Sequence, residues 1–203
     1  MKTFVKICGL TDADAVAAAV AAGADAVGFV FAESQRRVSA DRAAELAIAV
    51  PAGIKKVAVM QHPEPDEWAL VQQVFQPDWL QTDAEDFAGL EMVDGIRPLP
   101  VYRDHADSGV AAVNWPQRVL FEGAQSGRGQ KPDWNRAAYV ARRCELVLAG
   151  GLDSETVGEA ISKVRPWGVD VSSGVEQRPG IKDPDKITAF VQAVRRLESK
   201  HAG

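Results

Sequence analysis

The stretch Val5-Lys6-Ile7-Cys8-Gly9-Leu10-Thr11 is typical of a short buried strand that ends at a turn before a helix. Its apolar run is too short for a helix, Gly9 allows a sharp turn, and Thr11 or Asp12 can cap a helix that follows. In a parallel barrel, Cys8 would lie at the end where barrel enzymes hold their active sites. A lone cysteine is more often a small buried hydrophobic residue, so the thiol alone identifies no site.

The same order of strand and helix recurs along the chain. Short runs rich in Val, Ile, Leu and Phe alternate with alanine-rich or charged segments, which indicates a parallel sheet. The predicted strands are 3–8, 26–31, 55–60, 79–81, 96–102, 118–122, 146–149 and 168–171. The predicted helices are 12–22, 40–50, 64–75, 104–112, 135–142, 154–164 and 184–197, with one short helix within 86–92.

Eight strands at about one per 25 residues predict a compact α/β fold, a single-domain (β/α)8 TIM barrel. We expect this domain to span 1–203, with a frayed tail at 199–203, because no linker or change in composition divides the chain. Periodicity does not show whether a sheet closes, so an open, doubly wound sheet is the rival fold. The first strand lacks the GxGxxG fingerprint of dinucleotide-binding sheets, which disfavours that rival.

Composition excludes several classes of partner and site. The chain has 203 residues and a net charge of −5, which argues against nucleic acid or an anionic membrane as the main partner. Cys8 and Cys144 have no CxxC spacing, so neither a disulfide framework nor a zinc site is expected. The three histidines, His62, His105 and His201, show no ligand spacing and are predicted at the surface. With no signal peptide or membrane-length apolar run, we expect a cytoplasmic protein.

Small residues follow two successive predicted strands. Strand seven leads into Gly150-Gly151, and strand eight leads into Ser172-Ser173-Gly174. In barrels the loops after these strands commonly hold a phosphate, because glycines let backbone N–H groups approach it. The alternative is a pair of tight turns with no ligand. We expect a phosphate site here.

Several short motifs occur in order from one end of the chain to the other. They are Lys6-Ile7-Cys8-Gly9-Leu10-Thr11, Asp25-Ala26-Val27-Gly28-Phe29-Val30-Phe31, Ser34-Gln35-Arg36, Asp133-Trp134, Ala149-Gly150-Gly151-Leu152, Gly168-Val169-Asp170-Val171-Ser172-Ser173-Gly174-Val175-Glu176, Arg178-Pro179-Gly180 and Lys182-Asp183. This ordered set resembles the phosphoribosylanthranilate isomerase family of tryptophan biosynthesis. The single barrel domain that the resemblance implies agrees with the strand count.

The resemblance implies an Amadori rearrangement. N-(5-phosphoribosyl)anthranilate, a small-molecule substrate, would become 1-(2-carboxyphenylamino)-1-deoxyribulose 5-phosphate. The reaction needs one acid and one base, and the substrate iminium is its own electron sink, so no metal or organic cofactor is implied. The base is assigned to Cys8, and the acid to Glu122, where family members carry an aspartate. A monomer or a homodimer is expected.

The resemblance also implies residues that bind the substrate. Arg36 is expected to hold the anthranilate carboxylate through paired hydrogen bonds. Asp170 is expected to contact the substrate near its amino group or to orient Arg36. Thr82 stands where a family histidine is expected, and its hydroxyl can bind but cannot titrate near neutrality. Lys6 faces the same side of its strand as Cys8, and either assists the thiolate or pairs with a carboxylate.

Two other functions stay open at this point. Thr82 and Glu122 depart from the family pattern, which allows a catalytically impaired barrel that binds a phosphorylated metabolite. Another phosphosugar isomerase or an epimerase is the second alternative, although an epimerase would be expected to show metal-binding histidines and acids. After strand six, Arg128 is expected to lie in solvent.

Overall fold

Eight parallel strands form a closed barrel in which each strand neighbours the next along the chain and β8 pairs with β1. The computed structural model describes residues 2–105, 114–124 and 129–200. The strands are β1 (Phe4–Cys8), β2 (Ala26–Val30), β3 (Lys55–Val59), β4 (Trp79–Asp83), β5 (Arg97–Asp104), β6 (Arg118–Gly123), β7 (Glu145–Leu148) and β8 (Gly168–Val171). The predicted (β/α)8 barrel is confirmed, and the rival open sheet is wrong.

The helices surround the barrel. They are α1 (Ala13–Ala22), α2 (Ala40–Ala47), α3 (Pro65–Phe75), α4 (Trp134–Ala141), α5 (Val157–Val164) and α6 (Pro184–Lys200). A 3-10 helix at Asp86–Gly89 replaces the short helix predicted within 86–92. Asp104 belongs to β5, so the helix predicted at 104–112 does not begin there, and 106–112 lies outside the described residues. Lys200 still belongs to α6, and the rest of the predicted tail, 201–203, is outside the described residues.

A small hairpin after β8 was not predicted. Its strands are β9 (Glu176–Arg178) and β10 (Ile181–Lys182), joined to β8 by a 3-10 helix at Ser173–Val175. Strands of three and two residues are too short to show a hydrophobic period in the sequence. The hairpin brings Glu176 and Lys182 to the active end of the barrel, as described below.

Asp12 caps the first helix. Its carboxylate accepts a hydrogen bond from the backbone N–H of Ala15 at 2.8 Å. The sequence allowed either Thr11 or Asp12 as this cap. Thr11 instead donates its hydroxyl to the backbone carbonyl of Gly180 at 3.1 Å, which ties the loop after β1 to the hairpin.

Alternation of side chains along the strands produces two cores. One set packs outward against the helices and includes Ile7, Phe29, Leu80, Phe121 and Leu148. The other fills the barrel interior and includes Ala26, Val57, Trp79, Leu99, Leu120 and Val147. Because successive residues of a strand face opposite sides, a single strand can contribute to both cores.

Aromatic rings fill the amino-terminal end of the barrel interior. Phe4 stacks on Trp79 and Trp167, with ring centroids 5.3 and 4.5 Å apart. The Arg118 guanidinium lies 4.6 Å from the Trp79 ring and 4.2 Å from the Trp167 ring, and it pairs with Glu145. Trp79 and Trp167 thus pack inside the barrel and not between the helices and the barrel.

No helix of the described residues has both the length and the apolar composition that crossing a membrane requires.

We expect Trp79→Ala to lower the free energy of unfolding by about 3–5 kcal/mol, because it leaves a cavity and removes the stacking partner of Phe4. Urea unfolding measured by circular dichroism tests this. Leu70→Ala is the control, because Leu70 is 54% exposed on α3 and its loss should change stability by about 0.5 kcal/mol or less. Equal effects of the two variants would contradict the role of the aromatic cluster.

Candidate active site

One cavity lies at the carboxyl ends of the strands, and most of the predicted site residues line it. The predicted residues in its wall are Cys8, Arg36, Glu122, Gly150, Gly151, Asp170, Ser172 and Ser173. Thr82 and Gly174 are not among the lining residues. The cavity therefore contains most of the residues that the sequence predicted for the site, and Thr82 and Gly174 have other roles.

Cys8 ends β1 and is buried beside a lysine. The side chain of Lys6 is fully buried, and its Nζ lies 2.7 Å from Oδ1 of Asp170. Gly28 on β2 leaves space for both groups, because a Cβ there would lie 3.1 Å from the Cys8 sulfur and 3.2 Å from the Lys6 Nζ. Lys6 thus does both things that the sequence left open, since it pairs with a carboxylate and lies next to the thiol.

The charges around Cys8 act on its pKa in opposite directions. Burial raises the pKa of the Cys8 thiol above its usual value, and the Lys6 ammonium opposes part of that shift. Burial alone would lower the pKa of Lys6, but Asp170 and Cys8 together outweigh it, so this pKa lies above its usual value. Lys6 therefore stays charged and stabilises a thiolate when one forms.

Glu122 points into the barrel from β6. It is the register partner of Arg103 on β5, whose Nε lies 3.5 Å from Oε1 of Glu122. Nη1 of Arg103 also lies 2.5 Å from Oδ1 of the buried Asp83. Because its side chain is mostly buried and lines the cavity, Glu122 is not a simple solvated carboxylate.

Glycines let the loops after β6 and β7 pack against each other. Gly150 and Gly151 have φ values of 92° and 63°, in the left-handed region. A Cβ on Gly150 would lie 2.3 Å from the Gln130 carbonyl oxygen, and one on Gly151 would lie 2.5 Å from that of Gly129. Any side chain at either position would push these loops apart. The predicted solvent position of Arg128 lies outside the described residues.

Gly174 supports the loop after β8 from behind. A Cβ there would lie 2.0 Å from the carbonyl oxygen of Leu152, so only glycine fits. This close approach seats the 3-10 helix that begins at Ser173, while Ser172 and Ser173 themselves line the cavity. Gly174 is thus a packing residue of the site.

Arg36 is held by a carboxylate that the sequence did not assign. Its Nε and Nη2 lie 2.7 and 3.0 Å from Oε1 and Oε2 of Glu176, in a two-point ion pair. The hydrogen bonds that Arg36 donates to Glu176 raise the pKa of Arg36 above its usual value. Burial would raise the pKa of Glu176, but Arg36 and Lys182 lower it below its usual value. Asp170 was one candidate for orienting Arg36. It pairs with Lys6 instead.

Thr82 does not reach the cavity, which corrects its assignment as a binding residue. Its side chain is fully buried and donates a hydrogen bond to Oδ2 of Asp86 at 2.6 Å. Because side chains alternate along β4, its neighbours Gln81 and Asp83 face the interior. Gln81 lines the cavity, and its Oε1 is buried without a hydrogen-bond partner among the described residues. Thr82 therefore lies on the face of β4 that points away from the cavity.

A histidine and two carboxylates meet at the rim of β4. Ligand atoms of His62, Asp83 and Asp86 lie within 4.8 Å of one another, the only such group of three or more metal-ligating residues within the part of the chain described. Asp86 already accepts from Thr82, and Asp83 pairs with Arg103. A hydrogen bond with Asp86 raises the pKa of His62 above its usual value. These contacts describe a network of ion pairs, and His62 is exposed as predicted.

The whole arrangement matches one known family. The model of the N-(5′-phosphoribosyl)anthranilate isomerase family matches residues 5–193. The chain belongs to this family. The resemblance drawn from the motifs is confirmed, and so is the predicted activity, the isomerase step of tryptophan biosynthesis.

Relatives of the isomerase family match over almost their whole length. The enzyme of Bordetella pertussis is 39% identical over 98% of this chain and 98% of its own length. That of Listeria monocytogenes is 38% identical over 96% of this chain and 99% of its own. Among solved structures, the isomerase of Thermotoga maritima superposes with a TM-score of 0.86 at 32% identity, covering 96% of this chain and all of that one.

A second solved isomerase contains a bound ligand. That protein is in complex with reduced 1-(o-carboxyphenylamino)-1-deoxyribulose 5-phosphate. It superposes with a TM-score of 0.81 at 31% identity, again over 96% of this chain and all of that one.

Gly9 lies under both Arg36 and Ser172, and replacing it should displace them. A Cβ on Gly9 would lie 2.6 Å from Cδ of Arg36 and 3.2 Å from Oγ of Ser172, and its φ is 75°. Because Glu176 holds the far end of Arg36, that side chain cannot move without losing its ion pair. We expect Gly9→Ala to lower kcat/KM roughly 10- to 100-fold.

Gly23 provides the matched control. Its φ is 84°, and a Cβ there meets nothing within 4 Å. Gly23→Ala should carry the same backbone cost of roughly 1–2 kcal/mol while leaving kcat/KM unchanged. If both variants lost activity in proportion to their stability, the contact of Gly9 with Arg36 would be irrelevant to catalysis.

Proposed function

We propose that Cys8 is the base and Glu122 the acid of the isomerisation, acting on N-(5-phosphoribosyl)anthranilate in this cavity. Glu122 gives its proton to the furanose ring oxygen as the bond from that oxygen to C1′ breaks, and an iminium forms. Cys8 then removes the proton from C2′, and the electron pair moves into the iminium. The resulting enol-amine rearranges to the aminodeoxyketose, 1-(2-carboxyphenylamino)-1-deoxyribulose 5-phosphate.

The observation that carries this proposal is that Cys8 and Glu122 reach one cavity from different strands. β1 and β6 are separated by β8 and β7 around the barrel, so the two groups approach a ligand from different sides. Lys6 supplies a positive charge next to the thiol, which favours the thiolate that a base must become. Glu122 keeps the carboxyl group of the family aspartate with one more methylene.

The two anionic ends of the substrate have separate anchors. We assign the anthranilate carboxylate to Arg36, whose guanidinium matches a carboxylate with two parallel hydrogen bonds. We assign the phosphate to the small-residue loops, with Gly150, Gly151, Ser172 and Ser173 in the cavity wall and Gly174 behind them. The ligand of the solved relative has both of these anionic groups, which supports the assignment.

Two side chains between these anchors complete the proposed site. The unpartnered oxygen of Gln81 would be satisfied by a donor on the ligand, such as a ribose hydroxyl. Asp170 lines the cavity while it holds Lys6, so it faces the substrate near the reacting carbons. One small-molecule substrate would therefore contact Arg36, Gln81, Asp170 and the small-residue loops together.

We also propose a cytoplasmic location, for which the two free cysteines are the support. A monomer or a homodimer remains the predicted state. One solved relative, from Thermotoga maritima, is described as a dimeric isomerase from which monomers were generated.

Removal of either proton-transfer group should abolish most of the turnover. We expect Cys8→Ala and Glu122→Gln each to lower kcat about 10²- to 10⁴-fold, as the loss of one positioned acid or base typically does. Steady-state kinetics on the purified variants tests this, with Cys144→Ala as the control that keeps wild-type kcat. Undiminished activity of Glu122→Gln would disprove the assigned acid.

A complementation assay with the unmodified chain separates an active enzyme from an impaired binding barrel. An isomerase should rescue growth of a tryptophan auxotroph blocked at this step. Soluble expression with ligand binding but no rescue by the unmodified chain would favour the impaired barrel.

The Lys6 charge beside Cys8 should set the pH at which the thiolate forms. Burial raises the pKa of Cys8, so its reaction with an alkylating agent should accelerate with pH into the alkaline range. Lys6→Met removes a charge that lowers this pKa, so the midpoint should move to higher pH.

The rate of Cys8 alkylation by iodoacetamide, measured against pH in a Cys144→Ala background, checks this direction. Because Lys6→Met leaves Asp170 buried without its partner, the double variant with Asp170→Asn serves if the single one is unstable. A midpoint that stays at the wild-type pH, or moves to lower pH, would contradict the electrostatic role of Lys6.

A further inference from the structure

We propose that Lys182 positions both substrate anchors, so that one buried ammonium sets the spacing between the carboxylate site and the phosphate site. This inference rests on the proposed function, which assigns the substrate carboxylate to Arg36 and the phosphate to the loops that include the one after β8. It concerns a residue with no assigned role in the reaction, and it makes Lys182 a positioning residue that acts through Glu176 and Ser172.

The side chain of Lys182 is fully buried and bonded on several sides. Its Nζ donates to Oε1 of Glu176 at 3.0 Å, to the backbone carbonyl of Ser172 at 2.9 Å and to Oγ of Ser172 at 3.2 Å. The three protons of an ammonium match these three acceptors. A single group therefore links the loop after β8 to the carboxylate that holds Arg36.

Glu176 lies between two cations. It accepts two hydrogen bonds from Arg36 on one side and one from Lys182 on the other. With Arg36 alone, the pair would be neutral and would attract an incoming carboxylate weakly. Burial lowers the pKa of Lys182 below its usual value, and the Glu176 carboxylate opposes that shift. With Lys182 protonated, the trio has one net positive charge, so Arg36 is fixed in position without losing its attraction for an anion.

The hairpin that contains Glu176 and Lys182 packs against the loop that carries Arg36. Gly180, at the turn between β9 and β10, has a φ of 82°, and a Cβ there would lie 2.5 Å from the carbonyl oxygen of Gln35. The turn thus presses on the loop that carries Arg36. Thr11 donates to the carbonyl of Gly180, so the hairpin is also tied to the loop after β1.

Such an arrangement favours ligands with an anionic group at each end. Loss of Lys182 should loosen Ser172 and Glu176 together, and so weaken recognition of both the phosphate and the carboxylate. Loss of the Glu176 charge should act mainly on Arg36 and hence on the carboxylate. A residue with a merely structural role would change the affinity of all ligands alike.

Three ligands separate these effects. They are the reduced product analogue 1-(2-carboxyphenylamino)-1-deoxyribitol 5-phosphate, the same molecule without the ring carboxylate, and the same molecule without the phosphate. Calorimetry gives the Kd of each for every variant. The carboxylate ratio is the Kd of the ligand without the carboxylate divided by the Kd of the full analogue. The phosphate ratio is defined in the same way for the ligand without the phosphate.

We expect Lys182→Met to lower both ratios about tenfold or more, because a hydrogen bond to a charged group typically contributes an affinity change of roughly that size. We expect Glu176→Gln to lower the carboxylate ratio at least three times as much as the phosphate ratio. Lys186→Met is the matched control. Lys186 donates to the backbone carbonyl of Glu176 at 2.8 Å from the same segment, without touching its carboxylate. Both ratios should stay within about twofold of wild type in this control.

The outcomes distinguish this inference from the function on which it rests. If Arg36→Met leaves the carboxylate ratio unchanged, the assignment of Arg36 fails. If Arg36→Met lowers that ratio but Lys182→Met changes neither ratio, or weakens all three ligands equally, the role of Lys182 is overturned. The double variant Glu176→Gln/Lys182→Met removes the buried ammonium together with its carboxylate partner, and it should lower both ratios even if Lys182→Met alone does not fold.

Discussion

The pairing of β8 with β1 closes the barrel, and its register places Lys6 directly beside Asp170. Everything at the active end depends on this closure. It brings the first strand, with its cysteine, next to the last strand, with its carboxylate and small-residue loop. Because residues two apart on a strand share a face, Lys6 and Cys8 both point into the interior, and Asp170 meets them from β8. The ion pair lets a lysine remain charged where the thiol needs a positive neighbour.

Buried charges around the cavity are compensated in small groups, and each group serves one part of the proposed reaction. Lys6 and Asp170 act on the base, and Arg103 with Asp83 lies against the acid, Glu122. Glu176 and Lys182 form a similar group with Arg36, the proposed anchor for the substrate carboxylate. Burying a single ion costs several kcal/mol, so each charged group needs a partner of opposite sign. The partners also fix the geometry, which means that the site is organised before a ligand arrives.

Local patterns were sufficient for much of the fold and site. The eight strands were predictable because buried parallel strands are short apolar runs. The sequence offered Gly150 and Gly151 as a flexible turn, but their close contact with the loop after β6 is visible only in the structure. The hairpin of β9 and β10 was not predictable, since its few residues have no detectable period. The assignment of Thr82 failed because adjacent residues of a strand face opposite sides, and Thr82 lies on the face of β4 that points away from the cavity.

The sequence by itself determined the alternation of strand and helix, the thiol at the end of the first strand and the small residues after the last two, because these follow from local chain geometry. Only the tertiary structure decided which charges meet. Lys6 could have paired with any carboxylate, and Asp170 was a candidate to orient Arg36, a role that Glu176 holds. The reason is physical: an ion pair between residues 140 or 164 positions apart depends on the register of barrel closure and on the path of a hairpin. Neither the register nor the path of the hairpin can be read from the sequence next to the paired residues.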